Sequence, residues 1–285
     1  MGIFIVFSKL KKIVQTLKFP STKYSTILDY TSHSLVTNLW NCDFMAPIEN
    51  TLTNGAQVLD VGTGEGAWVI SCAERFPMST FIGVDASLYF PLVPKVKFMN
   101  AHFLKTDILE GLALEDNTFD FVHLRCITLI FTDEEWSNKV IKELIRVCKP
   151  GGWIEIVELD CQYINQGPVH LNLCSQSKRF FLENNVHSIA GEDIAFYLKQ
   201  TGAVSEINEE LRVVPFHGSK LGKSFADHQI KFMQAYKDIL PGILGMDEKQ
   251  WEDTLKTIRK ELSVYKTESI MRRIYCKVNP KQPVI

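Results

Sequence analysis

A glycine-rich segment between a predicted strand and a predicted helix carries the clearest chemical signal in the chain. Its residues are Val58-Leu59-Asp60-Val61-Gly62-Thr63-Gly64-Glu65-Gly66. Glycines at such a turn let a ligand approach the backbone closely, and the N-terminus of the following helix presents unpaired N–H groups. The segment therefore predicts a loop that holds a nucleotide-like ligand.

Two classes of ligand fit a loop of this kind. Gly62, Gly64 and Ala67 match the glycine pattern of dinucleotide-binding folds, and Asp85 follows at a suitable distance to bind a ribose hydroxyl. A nicotinamide- or flavin-dependent oxidoreductase is therefore one interpretation. Asp60 favours the other, because a carboxylate just before the loop would repel a pyrophosphate and attract an ammonium group. S-adenosylmethionine carries an ammonium group and a ribose diol but no phosphate, so the charges favour this methyl donor.

Apolar segments alternate with helical segments on both sides of this loop. The predicted strands are Val58–Val61, Phe81–Val84, a region within Val96–Asp107, Phe119–Leu124 and Trp153–Val157. Thr132 and Glu135 have the spacing of a helix capping box, and Pro150 with Gly151 is expected to end the helix that they begin. Alternating strands and helices predict a mainly parallel sheet with helices on both faces.

The pattern changes after Asp160. Helices are predicted at about 171–187 and 191–201, a strand at Leu211–Phe216, helices at about 224–239 and 247–263, and a last strand near Ile270–Val278. The sequence contains neither an internal repeat nor a low-complexity linker. We therefore expect one domain at 51–285 with a helical insertion at about 220–265, preceded by a helical segment at 1–50.

Four ordered motifs carry a family resemblance: VLDVGTGEGAW, FIGVDAS, DNTFDFVHLRC and KPGGWIEIVE. The series resembles the class I S-adenosylmethionine-dependent methyltransferases and, more narrowly, the fungal LaeA-like methyltransferase-domain group. The resemblance implies a Rossmann-like α/β fold with a seven-stranded, mainly parallel sheet, an antiparallel last strand and helices on both faces. It also implies methyl transfer from S-adenosyl-L-methionine. Glu65 departs from the family, where Thr is the commonest residue at that position.

The resemblance assigns cofactor contacts to the ends of successive strands. The implied cofactor-binding residues are Asp60, Gly62, Thr63, Gly64, Asp85, Ala86, Asp107, Ile108 and Leu124. In this assignment the loop meets the methionine portion, Asp85 meets the ribose and Asp107 meets the adenine. Asp107 has an alternative role as the cap of a helix.

Catalytic residues are less well defined. The candidates are His123, Arg125 and Glu158, with Tyr163 as a further possible base. His123 has an alternative as a structural histidine, and Arg125 either binds a substrate carboxylate or pairs with a nearby acid. A sulfonium methyl group is already activated, so a general base is needed only when the acceptor's pKa lies well above the working pH. A scaffold or regulatory protein that retains the methyltransferase fold is the alternative without catalysis.

Composition limits the partners. The formal net charge of −2 gives no general attraction for nucleic acid. The seven cysteines include no C-x-x-C pair, so we expect reduced thiols, a cytoplasmic location and no metal site. We expect a small-molecule acceptor, whose identity the sequence does not give.

Residues 1–23 combine five lysines with an apolar pattern typical of one face of a helix. The favoured interpretation is a helix docked on the protein itself, and the alternative is peripheral contact with a membrane surface.

Overall fold

The computed structural model describes residues 32–86, 99–127, 131–183, 191–238 and 240–280. The basic segment 1–23 lies outside these ranges. The strands are β1 Gln57–Val61, β2 Thr80–Asp85, β3 Ala101–Lys105, β4 Phe119–Arg125, β5 Cys148–Ile164, β6 Val204–Pro215 and β7 Glu268–Val278.

Helices flank these strands in the order expected for an α/β protein. They are α1 (described over 32–40), α2 Glu49–Asn54, α3 Ala67–Arg75, α4 (133–147), α5 Pro168–Glu183, α6 Gly191–Gln200, α7 Lys220–Ala235, α8 Leu240–Ile243 and α9 Glu248–Val264. Helix α4 consists of a short α-helical turn, a π-helical turn at Trp136–Val140 and an α-helix at Ile141–Val147. The capping box predicted at its start is confirmed, because Thr132 and Glu135 each accept a backbone N–H from the other.

The described strands form one sheet in the order β3-β2-β1-β4-β5-β7-β6. Neighbours from β3 to β5 are parallel, whereas β7 is antiparallel to both β5 and β6. This confirms the predicted seven-stranded sheet with an antiparallel last strand. The insertion before that strand is also confirmed, as α7 to α9 between β6 and β7.

Alternation along the central strands divides the core between the two sheet faces. Leu59 and Val122 face one side, where they belong to a cluster with Leu144 of α4 and Ile194 of α6. Val58 faces the other side. The cluster there also contains Phe121, Trp68, Phe76 and Phe44. A third cluster joins Trp40 of α1 to α7 and α9.

The length of β5 differs from the sequence-based expectation. It begins at Cys148 rather than Trp153, and Pro150 and Gly151 lie within it. The pairing of β5 with β4 is irregular between Phe119 and Phe121. The turn at Pro150 and Gly151 therefore interrupts the pairing without ending β5. The strand then runs to Ile164 because β7 pairs with it along this extension.

The described part of the chain has reduced thiols, as expected, and short or polar helices. Cys42, Cys72, Cys148, Cys174 and Cys276 are free thiols. Within the described ranges, every helix is too short or too polar to cross a membrane.

Candidate active site

The glycine-rich segment is a tight loop between β1 and α3. Gly62, Gly64 and Gly66 have φ angles of +70°, +58° and +85°, which residues with a Cβ rarely adopt. The N–H groups of Gly62 and Thr63 both donate to the carbonyl oxygen of Val84, at 2.9 and 3.0 Å. The end of β2 therefore holds the loop in place.

Asp85 connects this loop to the next strand. Its Oδ2 atom accepts a hydrogen bond from the N–H of Gly64 at 3.0 Å. The loop and Asp85 both lie at the carboxyl edge of the sheet, where β1 is flanked by β2 and β4 and the strand order reverses. Ligands of open α/β sheets bind at this point. The predicted loop and its predicted ribose-binding carboxylate are thus adjacent.

Asp60 and His123 form a buried pair on neighbouring strands. They occupy matching positions of β1 and β4, and Asp60 Oδ1 lies 2.7 Å from His123 Nδ1. Because an ionised carboxylate only accepts hydrogen bonds, Nδ1 carries the hydrogen in this pair. Asp60 is 3% exposed and His123 is 0% exposed. The sequence analysis named both residues but not their contact.

Trp68 covers this pair from α3. Its ring stacks on the His123 imidazole with centroids 4.0 Å apart and planes inclined by 5°. The indole N–H donates to the carbonyl oxygen of Asp43 at 3.1 Å. The pair therefore lies beneath a fixed aromatic ring that also anchors the segment between α1 and α2.

His33 of α1 lies in the same electrostatic environment. Burial and the nearby positive charge of Arg125 lower the pKa of His33 to about 4, and Asp43 and Asp60 partly oppose this shift. Helix α1 is thereby placed close to the end of β4. The sequence analysis missed His33 because no motif surrounds it.

The other predicted cofactor-binding residues lie in different surroundings. Asp107 caps the short helix Ile108–Glu110 by accepting the Leu109 N–H at 2.9 Å. This is the alternative role that the sequence left open. Thr63 is buried, with its hydroxyl against Gly83 of β2. Ala86 directly follows β2.

Leu124 and Ile108 belong to the apolar core. The Leu124 side chain is fully buried, and Ile108 is 6% exposed in the same cluster. Any contact that Leu124 makes with a ligand at the sheet edge would therefore involve its backbone.

The catalytic candidates at the ends of β4 and β5 have structural partners. Glu158 is 2% exposed, and its Oε1 atom accepts the N–H of Ile127 at 2.9 Å. The Tyr163 hydroxyl accepts a hydrogen bond from Gln229 Nε2 at 2.9 Å. Arg125 ends β4 and is partly exposed. Through its contact with Ile127, Glu158 holds the segment that follows β4.

A buried ionic network escaped the sequence analysis. Glu155 Oε2 accepts the N–H groups of Met45 and Ala46 at 2.8 and 2.7 Å, and its Oε1 lies 3.5 Å from Arg273 Nε. The guanidinium of Arg273 also lies 4.5 Å from the ring centroid of Trp40. The network fastens residues 40–46 to β5 and β7. Its members are far apart in sequence, so no local motif indicates it.

Comparison with known proteins finds methyltransferases that are similar to this chain. A methyltransferase-domain model matches residues 58–152. The chain is 24% identical over 180 residues to methyltransferase str3 of Strobilurus tenacellus, covering 61% of each chain. It is 34% identical over 117 residues to N-methyltransferase verN of Clonostachys rogersoniana, covering 40% of this chain and 39% of the relative. It is 32% identical over 105 residues to the secondary metabolism regulator laeA of Aspergillus niger, covering 36% and 26%.

Solved structures share the fold. A phosphoethanolamine N-methyltransferase from Haemonchus contortus, in complex with S-adenosyl-L-methionine, has a TM-score of 0.54 at 19% identity over 94% of this chain and 60% of that one. The [4+2]-cyclase SpnF has a TM-score of 0.50 at 15% identity over 90% and 94%. The matches span 61% and 36% of the first two curated relatives. Together with the glycine loop and its acidic neighbours, these similarities show a methyltransferase domain over residues 58–152 and a fold shared with S-adenosylmethionine-dependent methyltransferases.

Proposed function

We propose that this chain transfers a methyl group from S-adenosyl-L-methionine to a small-molecule acceptor. The observation that carries the proposal is the contact between Asp85 and Gly64, which places a carboxylate beside the glycine loop at the edge where the strand order reverses. Such an arrangement suits a ligand with a ribose diol and a short charged chain. Asp60, beneath the loop, adds negative charge suited to an ammonium group.

The residues around the loop fit this cofactor. Three glycines with positive φ leave the backbone uncovered by side chains, and the carboxylates of Asp60 and Asp85 provide the acceptors that the cofactor's hydroxyl and ammonium groups require. We assign cofactor binding to Asp60, Gly62, Thr63, Gly64, Asp85 and Ala86, with Asp107, Ile108 and the Leu124 backbone as further contacts. The cofactor supplies a methyl group already activated on a sulfonium, and transfer to a nucleophile leaves S-adenosylhomocysteine.

The protein's own contribution is alignment and the exclusion of water. We assign His123 to positioning rather than to proton transfer, since its ring is fully buried beneath Trp68. Glu158 has a similar role through its contact with Ile127. Arg125 remains a candidate for binding the acceptor. We expect no metal ion in this chemistry.

The N-terminal segment 1–50 is proposed to form a lid over the substrate together with the insertion between β6 and β7. Residues 40–46 are fastened to β5 by Glu155 and to α3 by Trp68, which supports this placement. A cytoplasmic location fits the free thiols of the buried residues Cys72, Cys148 and Cys276.

Thermal unfolding in the presence of alternative ligands tests the proposal against the oxidoreductase interpretation. A ligand at 100 times its Kd stabilises the folded state by about 2.7 kcal/mol, which corresponds to a rise in Tm of roughly 4–5 °C for a chain of this size. We expect this rise with S-adenosylhomocysteine and not with NAD. A rise with NAD alone would reject the proposal.

The regulatory alternative has one specific observation in its favour, namely the similarity to a relative described as a regulator of secondary metabolism. It predicts cofactor binding without methyl transfer. Incubation with donor carrying a labelled methyl group separates the two: labelled product supports the enzyme, and its absence across acceptors of every charge class supports the regulator.

A further inference from the structure

A cavity of about 430 Å³ lies beyond the carboxyl end of β5, between α5 and α7. Its volume falls within the range of small-molecule sites, which is roughly 300–1,000 Å³. Its aromatic and aliphatic wall includes Phe181 of α5 and Phe232, Met233 and Tyr236 of α7 and its C-terminal end. The cavity therefore presents an apolar interior of the size that a drug-like molecule occupies.

The polar part of the lining includes a hydrogen-bonded pair of side chains from β5 and α7. Gln229 is 8% exposed, and its amide donates to the Tyr163 hydroxyl at 2.9 Å. Gln162 and Gln166 also contribute to the lining. A few hydrogen-bonding groups within an apolar wall fix the orientation of a ligand, as in other small-molecule sites.

The charge of the lining defines the class of ligand. Among the described residues that line the cavity, Lys178 is the single charged side chain and none is Asp or Glu. Lys178 is exposed to solvent, so its charge contributes little to binding an anion. Burial raises the pKa of Tyr236 to about 12 and that of Cys174 to about 11, so both are neutral near pH 7. His170, which packs edge-on against Tyr163, is also neutral because burial lowers its pKa to about 4. A protonated amine would find no counter-ion in this wall.

The position of the cavity relates it to the methyl-donor site. Strands β1, β4 and β5 are parallel, so their carboxyl ends meet at one edge of the sheet. Tyr163 lies five residues beyond Glu158 on β5, which corresponds to roughly 17 Å of extended strand at ~3.3 Å per residue. A molecule with its body in the cavity and its reactive atom at the carboxyl edge of the parallel strands would span a length of this order.

We propose that this cavity holds the apolar body of the methyl acceptor, and that the acceptor is a neutral, elongated molecule with a hydroxyl or carbonyl group at its buried end. The assignment rests on the proposed methyl transfer. Gln229 and Tyr163 bind the polar end, and the aromatic side chains of α5 and α7 enclose the body.

Binding of three probes of matched shape tests the ligand class. They are 4-phenylphenol, which is neutral, 4-phenylbenzylamine, which is cationic, and biphenyl-4-carboxylate, which is anionic. We expect calorimetry to show saturable binding of the neutral probe and binding about tenfold weaker or worse for both charged probes, a difference of ~1.4 kcal/mol or more. Absence of saturable binding, or preference for a charged probe, would overturn the proposal.

A cavity-filling variant with a matched control locates the site. Ser177 lines the cavity on α5, whereas the adjacent Gln176 is exposed and outside the lining. We expect Ser177→Trp to abolish binding of 4-phenylphenol and Gln176→Trp to leave it unchanged. Equal binding by both variants would reject this location.

Two further measurements distinguish a wrong cavity assignment from a wrong methyltransferase proposal. Gln229→Leu should weaken 4-phenylphenol but not biphenyl, and this comparison holds even when Ser177→Trp lowers the Tm. S-adenosylhomocysteine should bind the Ser177→Trp and Gln176→Trp variants as it binds the wild type, since the donor loop lies elsewhere. Loss of donor binding in the wild type would reject the methyltransferase proposal, whereas normal donor binding with no probe binding would reject the cavity alone.

Discussion

The Oδ1 atom of Asp60 lies 2.7 Å from the Nδ1 atom of His123, beneath the ring of Trp68. Both residues belong to the central strands that support the glycine loop. The carboxylate therefore performs a structural task in addition to any contact with the cofactor. The pair fixes the imidazole in one orientation at the centre of the candidate site.

A double-mutant cycle should reveal this coupling. Asp60→Asn removes the charge, and His123→Phe removes the hydrogen bond while keeping an aromatic ring beneath Trp68. A hydrogen bond to a charged group contributes about 1.5–3 kcal/mol, so we expect a coupling of that size in the free energy of unfolding by urea. Additive effects of the two substitutions would show that the contact contributes nothing.

The ion pair between Glu155 and Arg273 should control the segment before α2. Glu155→Gln leaves Arg273 buried without a charged partner and weakens the contacts to Met45 and Ala46. We expect a loss of about 3–5 kcal/mol in the free energy of unfolding and faster hydrogen exchange at those two amides.

A surface ion pair provides the control for that substitution. Lys149 pairs with Asp120 at 2.8 Å, with 38% and 23% of their side chains exposed. Lys149→Gln should cost about 0–1 kcal/mol. Equal costs for the buried and the surface substitutions would contradict the importance assigned to the Glu155 network.

Gly66 should tolerate alanine less well than another glycine of similar conformation. Both Gly66 and Gly151 have positive φ, at +85° and +81°, but a Cβ at Gly66 would overlap the Phe103 ring, whereas one at Gly151 meets nothing within 4 Å. Backbone strain alone costs about 1–3 kcal/mol. We expect Gly151→Ala to fall in that range in urea unfolding and Gly66→Ala to exceed it. Similar losses would show that Phe103 yields without cost.

His170 should contribute to acid sensitivity. Burial lowers its pKa in the folded state to about 4, below the ordinary value of 6.5. The unfolded chain therefore binds a proton between these two values, so the contribution of His170 is fully present above pH 6.5 and is lost as the pH falls towards 4. The wild type should lose about 2 kcal/mol more than His170→Leu between pH 7.5 and 5. Parallel pH profiles from urea unfolding would contradict this origin of the acid sensitivity.

The parts of the molecule that could be predicted depend on local sequence. The glycine loop, the Thr132 capping box and the alternating strands arise from neighbouring residues, so their patterns are visible without a structure. Asp85 was predictable for the same reason, since it ends a strand that directly follows the loop helix.

The remainder depends on contacts between distant residues. The extension of β5 to Ile164 requires pairing with β7 about a hundred residues later. The Glu155 network joins three separate segments, and His33 is placed only by the packing of α1 near Arg125. Tertiary contacts of this kind leave no periodic signal in a single sequence.

Calorimetric titration with S-adenosylhomocysteine tests the central claim most directly. We expect the wild type to bind one molecule per chain. Asp85→Asn keeps an oxygen for the Gly64 N–H but removes the charge, and should weaken binding by about 10- to 100-fold, or ~1.5–3 kcal/mol. The control is Asp120→Asn, since Asp120 contacts Gln57 and Lys149 at the amino ends of the strands, and it should bind as the wild type does. Absence of binding to the wild type, or equal affinity in Asp85→Asn, would contradict the account.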